Sequence, residues 1–152
     1  MCEGLIMIAI NNERLNSFFH CFLQKRILII GDLMLDRYVE GTVNRISPEA
    51  PVPVVEVKTE FIRLGGAANV AYNLHSLGAA PILIGIVGED IEGEVLTGLM
   101  RNLNFPTEYL LKVKQRPTVV KTRIIADDQH VVRADRELKT QIDNKIHSIN
   151  PF

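Results

Sequence analysis

Two glycines stand directly ahead of an alanine-rich helical stretch in Leu64-Gly65-Gly66-Ala67-Ala68-Asn69-Val70-Ala71. Backbone without side chains can approach a bound molecule closely, and the helix N-terminus behind it presents N–H groups. Asn69, in the first turn, can both donate to and accept from the hydroxyls of a polyol. A tight turn followed by close helix packing would use the same residues, so the motif alone leaves both readings open. A second cluster, Gly31-Asp32-Leu33-Met34-Leu35-Asp36-Arg37-Tyr38, follows a short apolar run. Ligands of open α/β sheets bind beyond the carboxyl ends of the strands, so a carboxylate such as Asp36 is placed there to hold hydroxyls. Asp32 reads better as a turn cap. Lys121 and Arg123 are two apart in a β-branched segment, so they project from one face, and Arg133 lies on the next such segment. A solvated sheet face is the alternative reading of these three charges.

Several chemistries lack their residues. No G-x-x-x-x-G-K-[S/T] loop occurs, and no G-x-G-x-x-G follows an apolar run, which disfavours a nicotinamide enzyme. Cys2 and Cys21 have no metal-ligand spacing around them, and His20, His75, His130 and His147 are scattered. No metal site and no catalytic residue is assigned from this sequence.

The elements that would position these residues follow from periodicity. Leu15, Phe18, Phe19, Phe22 and Leu23 keep helical spacing and predict an N-terminal helical extension over 1–26, packed on the domain. Ile27–Ile30 and Ile82–Gly88 are continuous apolar runs, as in parallel strands covered on both faces by helices. Between and after them lie two predicted helices. One carries Val70, Leu74 and Leu77 on a face and stops at Gly78; the other is capped by Asp90 and carries Ile91, Val95, Leu99 and Leu103. Val52–Val57 is extended. Thr118–Ala126 and Val131–Ala134 alternate like a half-exposed antiparallel hairpin, linked by Asp127-Asp128-Gln129-His130. Ile142, Ile146 and Ile149 begin a further amphipathic helix, and two parallel strands are few for a sheet of this kind. The chain reads as interrupted.

Composition sets the outer bounds. The 152 residues are 47% hydrophobic and 23% charged with a net charge of −1, which suits a folded domain and gives no reason to expect nucleic acid as a partner. Two cysteines favour a reduced, cytoplasmic setting over a disulfide framework. The apolar stretch Leu5–Ile10 lacks the flanks of a signal peptide, and no run is long enough for a spanning helix, so no membrane partner is expected.

Three segments taken together resemble one family. Gly31-Asp32 with Asp36-Arg37-Tyr38, Arg45–Val54 (RISPEAPVPV), and Gly65–Ala71 with Asn73-Leu74 and Leu77-Gly78 are similar to the ribokinase-like (PfkB) sugar kinases. Gly88-Glu89-Asp90 with Gly93 belongs to the wider family pattern. Ser47–Val54 with Pro117-Thr118 and Lys121-Thr122-Arg123 is similar to the heptose 7-phosphate kinase domain of bifunctional heptose kinase/adenylyltransferases. The resemblance runs from about Ile27 to Glu137.

This resemblance implies a ribokinase-like α/β fold, a doubly wound parallel sheet with a small antiparallel β lid, here truncated. Residues 27–152 would be the N-terminal part of the kinase domain, with lid strands near 50–64 and 117–136. It implies ATP-dependent phosphorylation of D-glycero-D-manno-heptose 7-phosphate at the anomeric hydroxyl, with Mg²⁺, on the route to ADP-heptose and lipopolysaccharide core. Asp36, Gly65, Gly66 and Asn69 would hold sugar hydroxyls. Lys121 and Arg123, with Arg133, would clamp the existing phosphate. The family's catalytic aspartate sits in a Gly-Ala-Gly-Asp turn that this sequence does not contain, so most of the ATP site and all activity are expected to be missing from the chain alone. A homodimer through the lid sheet, or pairing with a complementary C-terminal half, is the expected assembly. The alternatives are a non-catalytic sugar-phosphate-binding or dimerisation module, and a kinase of the same family for another sugar such as fructose or ribose.

Overall fold

The computed structural model describes residues 11–23 and 25–140. In chain order its elements are α1 (Asn12–His20), β1 (Arg26–Ile30), β2 (Leu33–Ile46), β3 (Pro53–Gly66) and α2 (Ala67–Ser76). There follow β4 (Ala80–Gly88), α3 (Ile91–Asn102), β5 (Leu110–Val113), β6 (Val119–Ala126) and β7 (Gln129–Arg136). The further helix expected from Ile142, Ile146 and Ile149 lies outside the described residues.

The two apolar runs pair in parallel as expected, with Arg26 opposite Ala80 and Ile30 opposite Ile84. A third parallel strand, β5, joins β4 on its other side, giving the order β1-β4-β5. Leu83 and Val87 of β4 point to the face on which Ala68 and Ala71 of α2 and Leu96 and Met100 of α3 are buried. The expectation that helices cover both faces is not met among the described residues. On the other face Leu28 remains 56% and Ile30 71% exposed. Helix α1 does not cover it, because none of its residues is buried, and Phe18 and Phe19 stay exposed.

The predicted helices form, but their buried faces are rotated from the expected ones. In α2 the buried residues are Ala68 and Ala71, while Val70 is exposed; small side chains let the helix lie close to the sheet. Gly78 (φ 87°) supplies the expected left-handed stop. In α3 the buried residues are Gly93, Leu96, Thr97 and Met100, whereas Ile91 at the capped end faces solvent.

The second sheet has the order β3-β2-β6-β7. Strands β2 and β3 form a long antiparallel hairpin from Leu33 opposite Gly66 to Ile46 opposite Pro53, with irregularities at Glu40/Gly41 and Val43/Arg45. The lid is therefore larger than expected. It is also mixed rather than purely antiparallel, since β6 runs parallel to β2, Met34 opposite Val119 through Gly41 opposite Ala126. The chain reaches β6 after a crossover through α2, β4, α3 and β5, and a connection of that length permits the parallel sense. Strand β7 returns antiparallel to β6. The link is shorter than predicted: only Asp127 and Asp128, at φ 49° and 62°, form the turn. Leu33, Leu35, Leu64 and Val120 join the lid to the same core as the helices.

Candidate functional site

Strand alternation divides the lid into two faces. Leu33 and Leu35 of β2 turn toward the core, so Met34, Asp36 and Tyr38 turn the other way. Register then decides which residues join them. Arg63 of β3 and Lys121 of β6 lie on either side of Asp36, and Phe61 and Arg123 on either side of Tyr38. On β7, Asp135 is opposite Lys121 and Arg133 opposite Arg123. One open face thus gathers four cations, Arg63, Lys121, Arg123 and Arg133, with two carboxylates, Asp36 and Asp135.

Asp36 is fixed from two directions. Its Oδ1 accepts from the Arg123 guanidinium at 2.5 Å, and both side chains are about four-fifths buried, with 19% and 23% exposure. On its other flank, a Cβ at Gly65 would stand 2.6 Å from Asp36 Oδ2 and 2.8 Å from Met34 Cγ. The absence of a side chain at 65 is therefore what makes room for the carboxylate. Gly66 works differently. At φ +56° it turns the chain into α2, Ala67 donates to the Asp32 carbonyl at 2.9 Å, and a Cβ at 66 would stand 2.5 Å from that oxygen.

The remaining cations are already partnered, Arg63 excepted. Lys121 lies 3.3 Å from Asp135 and 3.6 Å from Glu137. Arg133 contacts both oxygens of Asp135, at 3.0 and 3.1 Å, and Lys139 contacts Glu137 at 3.1 Å. Burial would raise the Asp135 pKa, but the hydrogen bond from Lys121 and the charge of Arg133 hold it below the usual carboxylate value. Glu137 is lowered chiefly by the hydrogen bond from Lys139, against a smaller effect of burial. Tyr38 and Phe61 stack with centroids 4.9 Å apart, and the Arg63 and Arg123 guanidinium carbons each lie 5.5 Å from the Tyr38 centroid.

Of the seven residues expected to bind, Asp36, Gly65, Lys121, Arg123 and Arg133 share this face, and Gly66 forms its junction with α2. Asn69 lies apart from it, in a cleft that Asp36 does not line. It is exposed and lines a cleft along β3 with Arg63, Leu64, Tyr72 and Asn73. Arg63, opposite Asp36 in the register, is common to that cleft and to the lid face. Asp32, read as a turn cap, lines an open cleft of 390 Å³ at the carboxyl edge of the parallel sheet, with Met34, Ile84, Arg116 and Glu137. Arg63 was not expected at all. Its signal was available: it lies two residues from Gly65 on an extended segment and so faces the same way.

Among the described residues, those of the sheet-edge cleft do not fit a nucleotide. Arg116, the arginine of the sheet-edge cleft, donates to the carbonyls of Thr140 and Leu138, and Lys139 pairs with Glu137. The Gly88 amide donates to Thr118 Oγ1 at 2.8 Å. No loop of free amides there cradles a triphosphate.

Comparison with known proteins places the chain. The model of the pfkB family carbohydrate kinases matches residues 24–150. The bifunctional protein HldE of Helicobacter pylori is 52% identical over 115 residues, covering 76% of this chain and 25% of that protein. The bifunctional protein HldE of Magnetococcus marinus is 50% identical over 116 residues, covering 76% and 24%. The chain thus spans about a quarter of the length of the curated relatives it matches. The structure of Arabidopsis thaliana ribokinase complexed with ribose and ATP shares the fold with TM-score 0.56 at 19% identity, over 76% of this chain and 36% of that one. With most of its length matched by the family model, the chain belongs to the pfkB family of carbohydrate kinases.

Proposed function

We propose that the chain forms the sugar-holding part of an ATP-dependent kinase. The reaction is phosphorylation of D-glycero-D-manno-heptose 7-phosphate at its anomeric hydroxyl, giving the 1,7-bisphosphate that leads to ADP-heptose and lipopolysaccharide core. The observation that carries this reading is the Asp36–Arg123 pair on the lid face. A carboxylate accepts from sugar hydroxyls, and a guanidinium beside it donates to phosphate oxygens. A ligand that is both polyol and anion satisfies the two together. Identity of about half with the bifunctional protein HldE supports the heptose as the sugar.

Each side chain has a defined task. Asp36 accepts from ring hydroxyls, in the space that Gly65 leaves beside it. Gly66 aims the N-terminus of α2 at the ligand. Asn69, exposed and held by no hydrogen bond among the described residues, joins by turning from its cleft. Arg123 leaves Asp36 for the phosphate, with Lys121 and Arg133 supplying background positive charge. ATP, with Mg²⁺, donates the phosphoryl group in kinases of this family; because the described residues of the sheet-edge cleft do not fit a nucleotide, no step of the transfer is assigned to them. The chain alone is expected to bind without turnover.

Calorimetry of the 152-residue protein with heptose 7-phosphate, with and without Mg-ATP, tests this. Binding without ADP release is expected, and Asp36→Asn should abolish it. Absence of binding would remove the proposal, and unaided turnover would remove its second half.

A second reading, a pairing module without catalysis, is favoured by β7. All eight of its residues are exposed, Val131 and Val132 among them, and its outer edge is unpaired among the described residues. A second copy adding to this edge would make a homodimer through the lid. The uncovered face of the parallel sheet would instead receive polypeptide equivalent to the rest of the relatives' domain.

A further inference from the structure

We infer that Arg63 contacts the phosphate of the bound sugar and, with Arg123, makes a guanidinium pair on either side of Tyr38; this rests on the sugar-phosphate reading above. Of the four cations gathered around Asp36, Arg63 is the one with no carboxylate partner among the described residues. It nevertheless packs against two rings. Its guanidinium carbon lies 4.9 Å from the Phe61 centroid and 5.5 Å from that of Tyr38, over two rings that are themselves stacked. Packing a guanidinium on aromatic faces strips part of its hydration and fixes its plane, while its N–H edges stay free for a two-pronged bond to phosphate.

Position supports the same assignment. Arg63 is opposite Asp36 in the β2–β3 register, so a sugar hydroxyl on Asp36 brings its ligand within reach of Arg63. Arg123 touches the same Tyr38 ring from β6. A hydroxyl that displaces Arg123 from Asp36 therefore frees a second guanidinium near the first. Lys121 is a poorer candidate than its position in the sequence suggests. It already lies between Asp135 and Glu137, and a phosphate would have to compete with both. The substrate class that fits is a sugar carrying a terminal phosphate, with discrimination against the free sugar residing in Arg63.

The test compares two probes on the full chain, D-glycero-D-manno-heptose 7-phosphate and the unphosphorylated heptose, by calorimetry. Arg63→Ala is expected to weaken the phosphorylated probe about 10- to 100-fold and to change the free sugar by about twofold or less. Arg63→Lys keeps the charge without the fork and should recover only part of the loss. Arg63→Gln, closer in size, carries the comparison if Arg63→Ala fails to fold. Equal weakening of both probes would assign Arg63 to the sheet or the sugar ring and overturn the inference. Unchanged affinity in Arg63→Ala, with the wild type still preferring the phosphorylated probe, would overturn Arg63 alone. A wild type that binds neither probe would overturn the sugar-phosphate reading itself, and Arg63 with it.

Discussion

Asp90 shows how much one carboxylate can organise. Its Oδ1 caps α3 by accepting from the Gly93 amide at 2.9 Å and also accepts from Thr118 Oγ1 at 2.6 Å; its Oδ2 accepts from the Thr118 amide at 2.9 Å. Arg136 of β7 adds a contact at 3.4 Å and reaches Glu92 at 3.0 Å. The residue thus ties the start of α3 to the start of β6, the strand that carries Lys121 and Arg123. Burial acts to raise its pKa, but the Thr118 and Gly93 hydrogen bonds and Arg136 together keep it below 3.8. A depressed folded-state pKa means that the stabilisation is complete above the unfolded value and is lost as pH falls through the folded one. Asp90→Ala should therefore cost about 2–3 kcal/mol in urea unfolding at pH 7, where a cap and two charge-assisted bonds disappear. The gap between wild type and Asp90→Asn should shrink as pH drops below about 4. A gap unchanged down to pH 2 would show that the charge contributes nothing. The capping role was legible in the sequence, because an Asp ahead of a helical period is a local signal. The bonds to Thr118 were not, since they span 28 positions and depend on where β6 docks.

Among the elements, legibility followed the same division between local and long-range information. The parallel strands, both later helices and the hairpin of β6 and β7 have periods that a short window contains. Strand β2 was missed although Leu33, Leu35 and Val39 alternate with Met34, Asp36 and Tyr38, because the charged residues resemble a loop beyond β1. Without β2 the register that sets Arg63 beside Asp36 could not be drawn, and Arg63 stayed hidden while Lys121 and Arg123 were found. The rotated faces of α2 and α3 have another cause. Hydropathy favours Val70 and Ile91, whereas the space beneath each helix admits Ala68, Ala71 and Gly93. The tight turn between β6 and β7 offers a test at this scale. Asp128 is exposed at φ 62°, where glycine has no steric penalty. Asp128→Gly is expected to raise stability by about 0.5–1 kcal/mol in denaturant unfolding. A loss of stability instead would mean that Asp128 has a contact this geometry does not contain.

For the molecule as a whole, the unequal covering of the parallel sheet decides behaviour in solution. Among the described residues, one face is sealed by α2, α3 and the lid; the other presents Leu28 and Ile30 on an edge strand, backed by the half-buried Ile82, Ile84 and Ile86 of β4. Free strand edges with apolar side chains are sites of association. In relatives about four times as long, polypeptide outside the matched stretch is available to cover such a surface. The protein at 152 residues should therefore bind a hydrophobic dye and sediment as concentration-dependent oligomers. Leu28→Thr combined with Ile30→Thr should suppress both, and should lower unfolding free energy by no more than about 1 kcal/mol, because neither side chain belongs to the core. The same double variant should leave heptose 7-phosphate affinity unchanged, since the lid face lies on the other sheet. Sedimentation velocity beside calorimetry separates the outcomes: a dye-silent wild-type monomer would mean that the exposed face is covered by something other than a partner, and a loss of sugar affinity in the variant would mean that the two sheets are not independent.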